Sequence, residues 1–163
     1  MSPAEGQRGS NAAPRRGIPL WRRLAASCYD SLIVLALWFI GTALVMPLSR
    51  AAVSPDHPLA ELIYRLYLLA IGCAFFACFW VRDGQTVGML AWRVKLRQSD
   101  SGGSVTWAQA LLRYLAALLS WAALGLGFWW ALFDPERKTW HDRLSRTELV
   151  KAEPVVSAPK AAP

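Results

Sequence analysis

Arg23, Ser27 and Asp30 stand at positions i, i+4 and i+7 of one apolar stretch, with Ser31 beside them. On a helix, Arg23 and Asp30 then lie within about 20° of one another around the axis, with the carboxylate roughly 10 Å deeper than the guanidinium. A carboxylate at that depth in a bilayer costs about 2.5–3.5 kcal/mol on insertion scales, so it must face the interior with a partner or carry a proton. Two chemistries remain open for this stripe. One is a structural ion pair or hydrogen bond that orients helices, and the other is a proton or small-cation site. Arg113, at the start of a later apolar block, is the first candidate partner for Asp30, and Arg82 is the second.

A second polar cluster follows in Asp134-Pro135-Glu136-Arg137-Lys138-Thr139-Trp140-His141-Asp142-Arg143-Leu144-Ser145-Arg146. His141-Asp142 invites a catalytic reading, but a catalytic histidine needs a nucleophile within reach and no motif supplies one. No catalytic residue is assigned and no enzyme activity is expected. The pair is expected to be a polar anchor at the membrane interface. His57 is isolated. Cys28, Cys73 and Cys78, the three cysteines, all fall in apolar blocks, where a thiol acts as a small hydrophobe. They suggest neither a disulfide framework nor a metal site, and no cofactor is implied.

The elements that must position these residues are set by hydropathy. Hydrophobic residues make up 55% of the 163-residue chain and cluster in three long blocks, with many of the nine tryptophans at block ends or between blocks. Indole suits the headgroup zone of a bilayer, so this distribution indicates a membrane protein. The first block, Leu24 to Met46, makes a helix of roughly 34 Å, enough for a hydrocarbon core near 30 Å. A cleaved signal peptide is the rival reading, with Ser49-Arg50-Ala51 as cleavage site. The long apolar run and the internal Asp30 favour a retained span. Asp56 is expected to cap the second block, Leu62 to Val81, with Pro58 in its first turn and Glu61–Arg65 as an i, i+4 pair at its entrance.

The third block, Tyr114 to Phe133, carries no charge but is interrupted at Gly125-Leu126-Gly127. Between the second and third blocks, Ala91 to Arg97 alternates as a half-buried strand does, and Gln98 to Gly103 has turn chemistry. Thr147 to Lys151 reads as a further short strand that could pair with it. The fold class is therefore all-α membrane protein: three hydrophobic helical segments and a small β-hairpin element on the cytoplasmic side. Residues 1–17 and 152–163 are expected to be disordered tails around a membrane domain at 18–151.

Basic residues flank the first block at Arg15, Arg16, Arg22 and Arg23 and recur in the second connector, against Arg50 alone in the first connector. That asymmetry puts the N-terminus in the cytoplasm of a bacterial-type inner membrane. The third block conflicts with it: spanning would export Arg137, Lys138, Arg143 and Arg146, whereas a re-entrant hairpin would retain them. The net charge of +7 fits anionic headgroups, and without a nucleic-acid motif it does not imply nucleic-acid binding.

Taken in order, Arg23 and Asp30, then Gly84-Gln85-Thr86-Val87-Gly88 with Arg93-Val94-Lys95-Leu96, then Arg113, then Trp140-His141-Asp142-Arg143 and Thr147, resemble the RDD family of membrane proteins. The resemblance covers roughly Ile18 to Lys151. It implies that Arg23 is the family's arginine and that Asp30 and Asp142 are its aspartates, with Gly84, Thr86, Gly88, His141 and Thr147 as further motif positions. Ser145-Arg146 departs from the usual small residues before that threonine. The family suggests transport of an unidentified ligand. On that reading Arg23, Asp30 and Arg113 form a proton, cation or ion-pair site, and a homo-oligomer supplies the pathway. The alternative is a membrane scaffold or accessory subunit whose Arg–Asp stripe binds a partner helix. Gly84 to Gly88 has the outer form of a small-xxx-small contact, a weak pointer to dimerisation because it lies at the end of an apolar block.

Overall fold

The computed structural model describes residues 18–47, 57–134 and 138–152. The two tails, the Leu48 to Asp56 connector with Arg50, and Arg137 lie outside the described residues.

Helix α1 (Leu20–Val45) starts behind Pro19, and α2 (Pro58–Arg82) carries its proline at the first helical position, where no N–H is needed. His57, not Asp56, holds the N-cap position of α2 and makes no side-chain cap. The Glu61–Arg65 pair forms on its first turns. Both helices are long and apolar enough to cross a bilayer, with mean hydropathy 1.9 and 2.0. Their outer faces expose Leu32, Leu35, Phe39 and Ile40 on α1 and Leu59, Leu62, Ile63 and Leu66 on α2. So much contiguous apolar surface needs a hydrocarbon solvent or a partner.

Two similar short units follow, one on either side of a helical pair. In the first, Thr86 caps α3 (Val87–Ala91), Arg93 takes a left-handed conformation at φ 52°, and β1 (Val94–Gln98) begins. In the second, Thr139 caps α6 (Trp140–Leu144), Arg146 does the same at φ 50°, and β2 (Thr147–Lys151) begins. Each element of the second unit follows its counterpart by the same interval. The strands pair antiparallel from Val94↔Lys151 to Gln98↔Thr147, with the equivalent residues Leu96 and Leu149 facing each other at the centre. The two units are thus related by an approximate two-fold axis. The β element is a sheet of two distant strands and not a local hairpin. The turn after Gln98 leads away into a helix instead, because Thr106 and Gln109 form a capping box that starts α4 (Trp107–Ala122).

The third apolar block does not form one helix. It divides into α4 and α5 (Leu126–Phe133). At the join, the Gly125 N–H donates to the Ser120 carbonyl at 2.7 Å and the Leu124 N–H to the Trp121 carbonyl at 3.1 Å, which is a Schellman closure. Leu124, not a glycine, occupies the left-handed position at φ 54°. Gly127 lies against Ser120, where a Cβ would collide with the hydroxyl, so α5 folds back along α4. At about 24 Å, α4 is short of a bilayer core. Since β1 precedes this helical pair and β2 follows it, both ends of the pair return to the same sheet. The buried core, including Trp80, Val94, Leu96, Ala110, Tyr114 and Leu149, sits where that sheet meets the helices.

Candidate functional site

Asp142 is the centre of the polar cluster. Its N3 position in α6 follows from the Thr139 cap: the Thr139 N–H donates to Asp142 Oδ2 at 3.0 Å, and the Asp142 N–H donates to the Thr139 hydroxyl at 3.4 Å. Arg23 Nη1 donates to Oδ2 at 2.5 Å, and Arg113 Nη1 donates to Oδ1 at 2.6 Å. Arg113 also donates to the Thr147 hydroxyl at 2.7 Å and lies over the Trp80 ring at 5.3 Å from its centroid. Arg23 Nε is fixed by the Ile18 carbonyl at 3.2 Å. All three charged groups are buried, with Asp142 only 1% exposed. Burial alone would raise the Asp142 pKa, but Arg113 and Arg23 outweigh it and hold the carboxyl well below the usual range. His141 is pushed down to about 3, by burial first and then by Arg113, so its imidazole is neutral. His141 and Asp142 are therefore buried and bonded inside the chain.

Asp30 has a separate environment. Its Oδ2 accepts from the Thr86 hydroxyl at 2.5 Å and its Oδ1 from the Gly88 N–H at 2.8 Å. Neither Arg113 nor Arg82 is its partner. Arg113 is turned to Asp142 by α6, which packs on α4, whereas α3 packs on α1 and brings its own donors to Asp30. Gly88 makes this approach possible, because a Cβ there would run into the Ala26 carbonyl and lie 2.9 Å from the Asp30 carboxyl. Gly84, at φ 68°, accepts the Leu96 N–H at 2.7 Å through its carbonyl and so ties α2 to β1. Gly84 and Gly88 both make close contacts inside the chain.

Thr139 is a site residue whose one sequence signal is the Thr139-x-x-Asp142 spacing of a capping box. The structure also accounts for the departure at Ser145-Arg146. Ser145 is buried, donates to the His141 carbonyl at 2.5 Å and lies 2.7 Å from the Thr147 hydroxyl. Arg146 is exposed in the turn before β2. The terminal strand is seated by these contacts.

A cavity of about 400 Å³ borders Asp30 and the two arginines that hold Asp142. Arg23, Arg113 and His141 line it together with Asp30, Ser27 and Ser31, and the wall continues over Val34, Trp38, Phe76, Leu118 and Trp121. The cavity lies between α1 and α4, with α2 packed against both.

Two apolar helices braced at one end by a buried arginine–aspartate–arginine cluster define a class of small helical membrane protein. The RDD family model matches residues 18–146, and the chain belongs to that family. It is also similar to the uncharacterized protein RP437 of Rickettsia prowazekii (strain Madrid E), with 28% identity over 91 residues, 56% of this chain and 50% of that protein. The chain thus matches about half the length of that relative. No solved structure matches. Family membership and the two apolar helices mark it as a membrane protein.

Proposed function

We propose that the chain is a multi-pass transport protein of a bacterial-type inner membrane in which Asp30 exchanges a proton or a small cation. The observation that carries this reading is the contrast between the two aspartates. Asp142 is neutralised by two guanidiniums, whereas Asp30 borders the cavity and has, among the described residues, a hydroxyl and an amide as its hydrogen-bond partners. A carboxylate in a membrane helix without a paired cation is a site for a positive charge. A cavity bounded by α1, α2 and α4 is not a pore, so a homo-oligomer completes the path. The two charged residues of the α1 stripe are bonded inside the chain, Arg23 to Asp142 and Asp30 to Thr86 and Gly88, which weighs against the scaffold reading that needs them for a partner helix. No catalytic step is assigned.

In this reading the N-terminus is cytoplasmic, α1 and α2 span, and α4–α5 re-enters from the cytoplasmic side. That arrangement keeps Lys138, Arg143 and Arg146 inside and removes the charge conflict of a third span. It is supported by the return of both ends of the helical pair to one sheet. Leu124, at the tip and 91% exposed, would lie in hydrocarbon. The test is cation-driven proton flux in liposomes containing the purified protein. Wild type is expected to carry flux and folded Asp30→Asn to lose it. No flux from folded wild type under Na⁺ or K⁺ gradients would reject the transport reading.

A further inference from the structure

We infer that the cavity between α1 and α4 binds a single-chain amphiphile with an acidic headgroup, a carboxylate or a phosphate, held by Arg23 and Arg113. This rests on the cavity being a ligand site, as proposed above, and adds a second ligand to the proton or cation at Asp30.

The headgroup follows from the hydrogen-bond inventory. Arg23 uses Nε and Nη1, and Arg113 uses Nη1 alone. Arg23 Nη2 and Arg113 Nε and Nη2 have no acceptor among the described residues, yet both side chains are at least nine-tenths buried and line the cavity. A guanidinium presents its donors as a planar fork that matches a carboxylate or phosphate. Charge points the same way. Two guanidiniums share one carboxylate, His141 is neutral, and one positive charge is left over in a place of low polarity. Asp30 does not meet the need, since it is held by Thr86 and Gly88 and lies roughly 10 Å further along α1.

The chain follows from the rest of the wall. From Arg23 to Trp38 the cavity side of α1 extends about 22 Å and passes from charged to apolar. Phe76 of α2 and Leu118 and Trp121 of α4 continue the apolar part. A space of about 400 Å³ falls in the size range of small-molecule sites. Water suits the arginine end but not the apolar end. An acidic amphiphile suits both.

The test uses the tryptophans of the wall, Trp38, Trp80 and Trp121, as reporters. The full chain in nonionic detergent is titrated with 11-bromoundecanoate, whose bromine quenches indole fluorescence on contact, and in parallel with 11-bromoundecanol. We expect saturable quenching by the acid, at least tenfold weaker quenching by the alcohol, and reversal by excess undecanoate. Ala117→Phe, which fills the cavity without touching a charge, should weaken quenching by the acid at least tenfold. Equal quenching by acid and alcohol would overturn the proposal, because it reports micelle partitioning. Reversal by millimolar inorganic phosphate alone would also overturn it, by assigning the guanidiniums to a free anion. The readout is binding and not flux, so loss of the amphiphile and loss of Asp30-dependent transport are separate results.

Discussion

Arg23 and Asp142 lie 119 positions apart in sequence and meet at 2.5 Å, joining the first turn of α1 to the last short helix of the described chain. Arg113 closes the other side of the same carboxylate at 2.6 Å. One buried aspartate therefore holds three elements that are remote in sequence: α1, α4 and α6.

Removing that carboxylate leaves two buried guanidiniums without a counter-charge. Asp142→Asn should destabilise the fold by about 3–5 kcal/mol, read as a large fall in thermal midpoint in detergent. Replacing Arg23, Arg113 and Asp142 together by apolar residues of similar size should restore much of the loss. A triple variant as unstable as the single would show that the cluster does more than neutralise itself.

Asp30 should respond differently. Thr86→Val removes one donor to a carboxylate and the cap of α3 together, and a cost of at least about 1–3 kcal/mol is expected. Gly88→Ala should cost at least as much, since its Cβ meets the Ala26 backbone carbonyl and the Asp30 carboxyl, and backbone cannot yield as a flexible side chain can. Thermal unfolding of the two variants side by side checks both values.

The imidazole of His141 creates an acid sensitivity. Its folded pKa of about 3 lies below the ordinary value of 6.5, so between those limits the unfolded chain binds one more proton than the folded one. Stability should fall as pH drops from 6.5, by at most about 1.4 kcal/mol per unit from this group. Asp142, whose folded pKa is depressed, adds a loss of the same sign below about pH 4. His141→Gln should flatten the profile between pH 6.5 and 4.5, and an unchanged slope there would assign it to other groups.

Labelling with a membrane-impermeant maleimide tests the topology. With Cys28, Cys73 and Cys78 replaced, Lys95→Cys and Arg146→Cys should react from one side of sealed vesicles and His57→Cys from the other. Reaction of Lys95→Cys and Arg146→Cys from opposite sides would contradict the return of α4–α5 to the sheet.

Leu124 combines strain and exposure. A left-handed leucine costs about 1–2 kcal/mol, so Leu124→Gly should stabilise the turn in detergent by up to about 1 kcal/mol after the added freedom of the unfolded chain. Equilibrium unfolding in detergent measures the difference.

Much of the fold was legible in sequence because its signals are local. The α1 and α2 spans follow from uninterrupted hydropathy, the break near Gly125 from a helix-weakening pair of glycines, and the strand character of Val94 to Gln98 and Thr147 to Lys151 from short-range pattern. The list Arg23, Asp30, Arg113, Asp142 and Thr147 followed from residue type in an apolar setting and from the family's motif order. What sequence did not decide was who pairs with whom. Helical spacing set Arg23 over Asp30, and its place at the start of the third block made Arg113 the expected partner of Asp30. Yet Arg23 and Arg113 both go to Asp142, because α6 is carried onto α4 by the fold-back of α5 and locked there by β2. Asp30 is left to Thr86 and Gly88, because α3 packs on α1. An ion pair forms between groups that tertiary packing brings within about 3 Å, and hydrophobic periodicity along a chain carries no information about that distance.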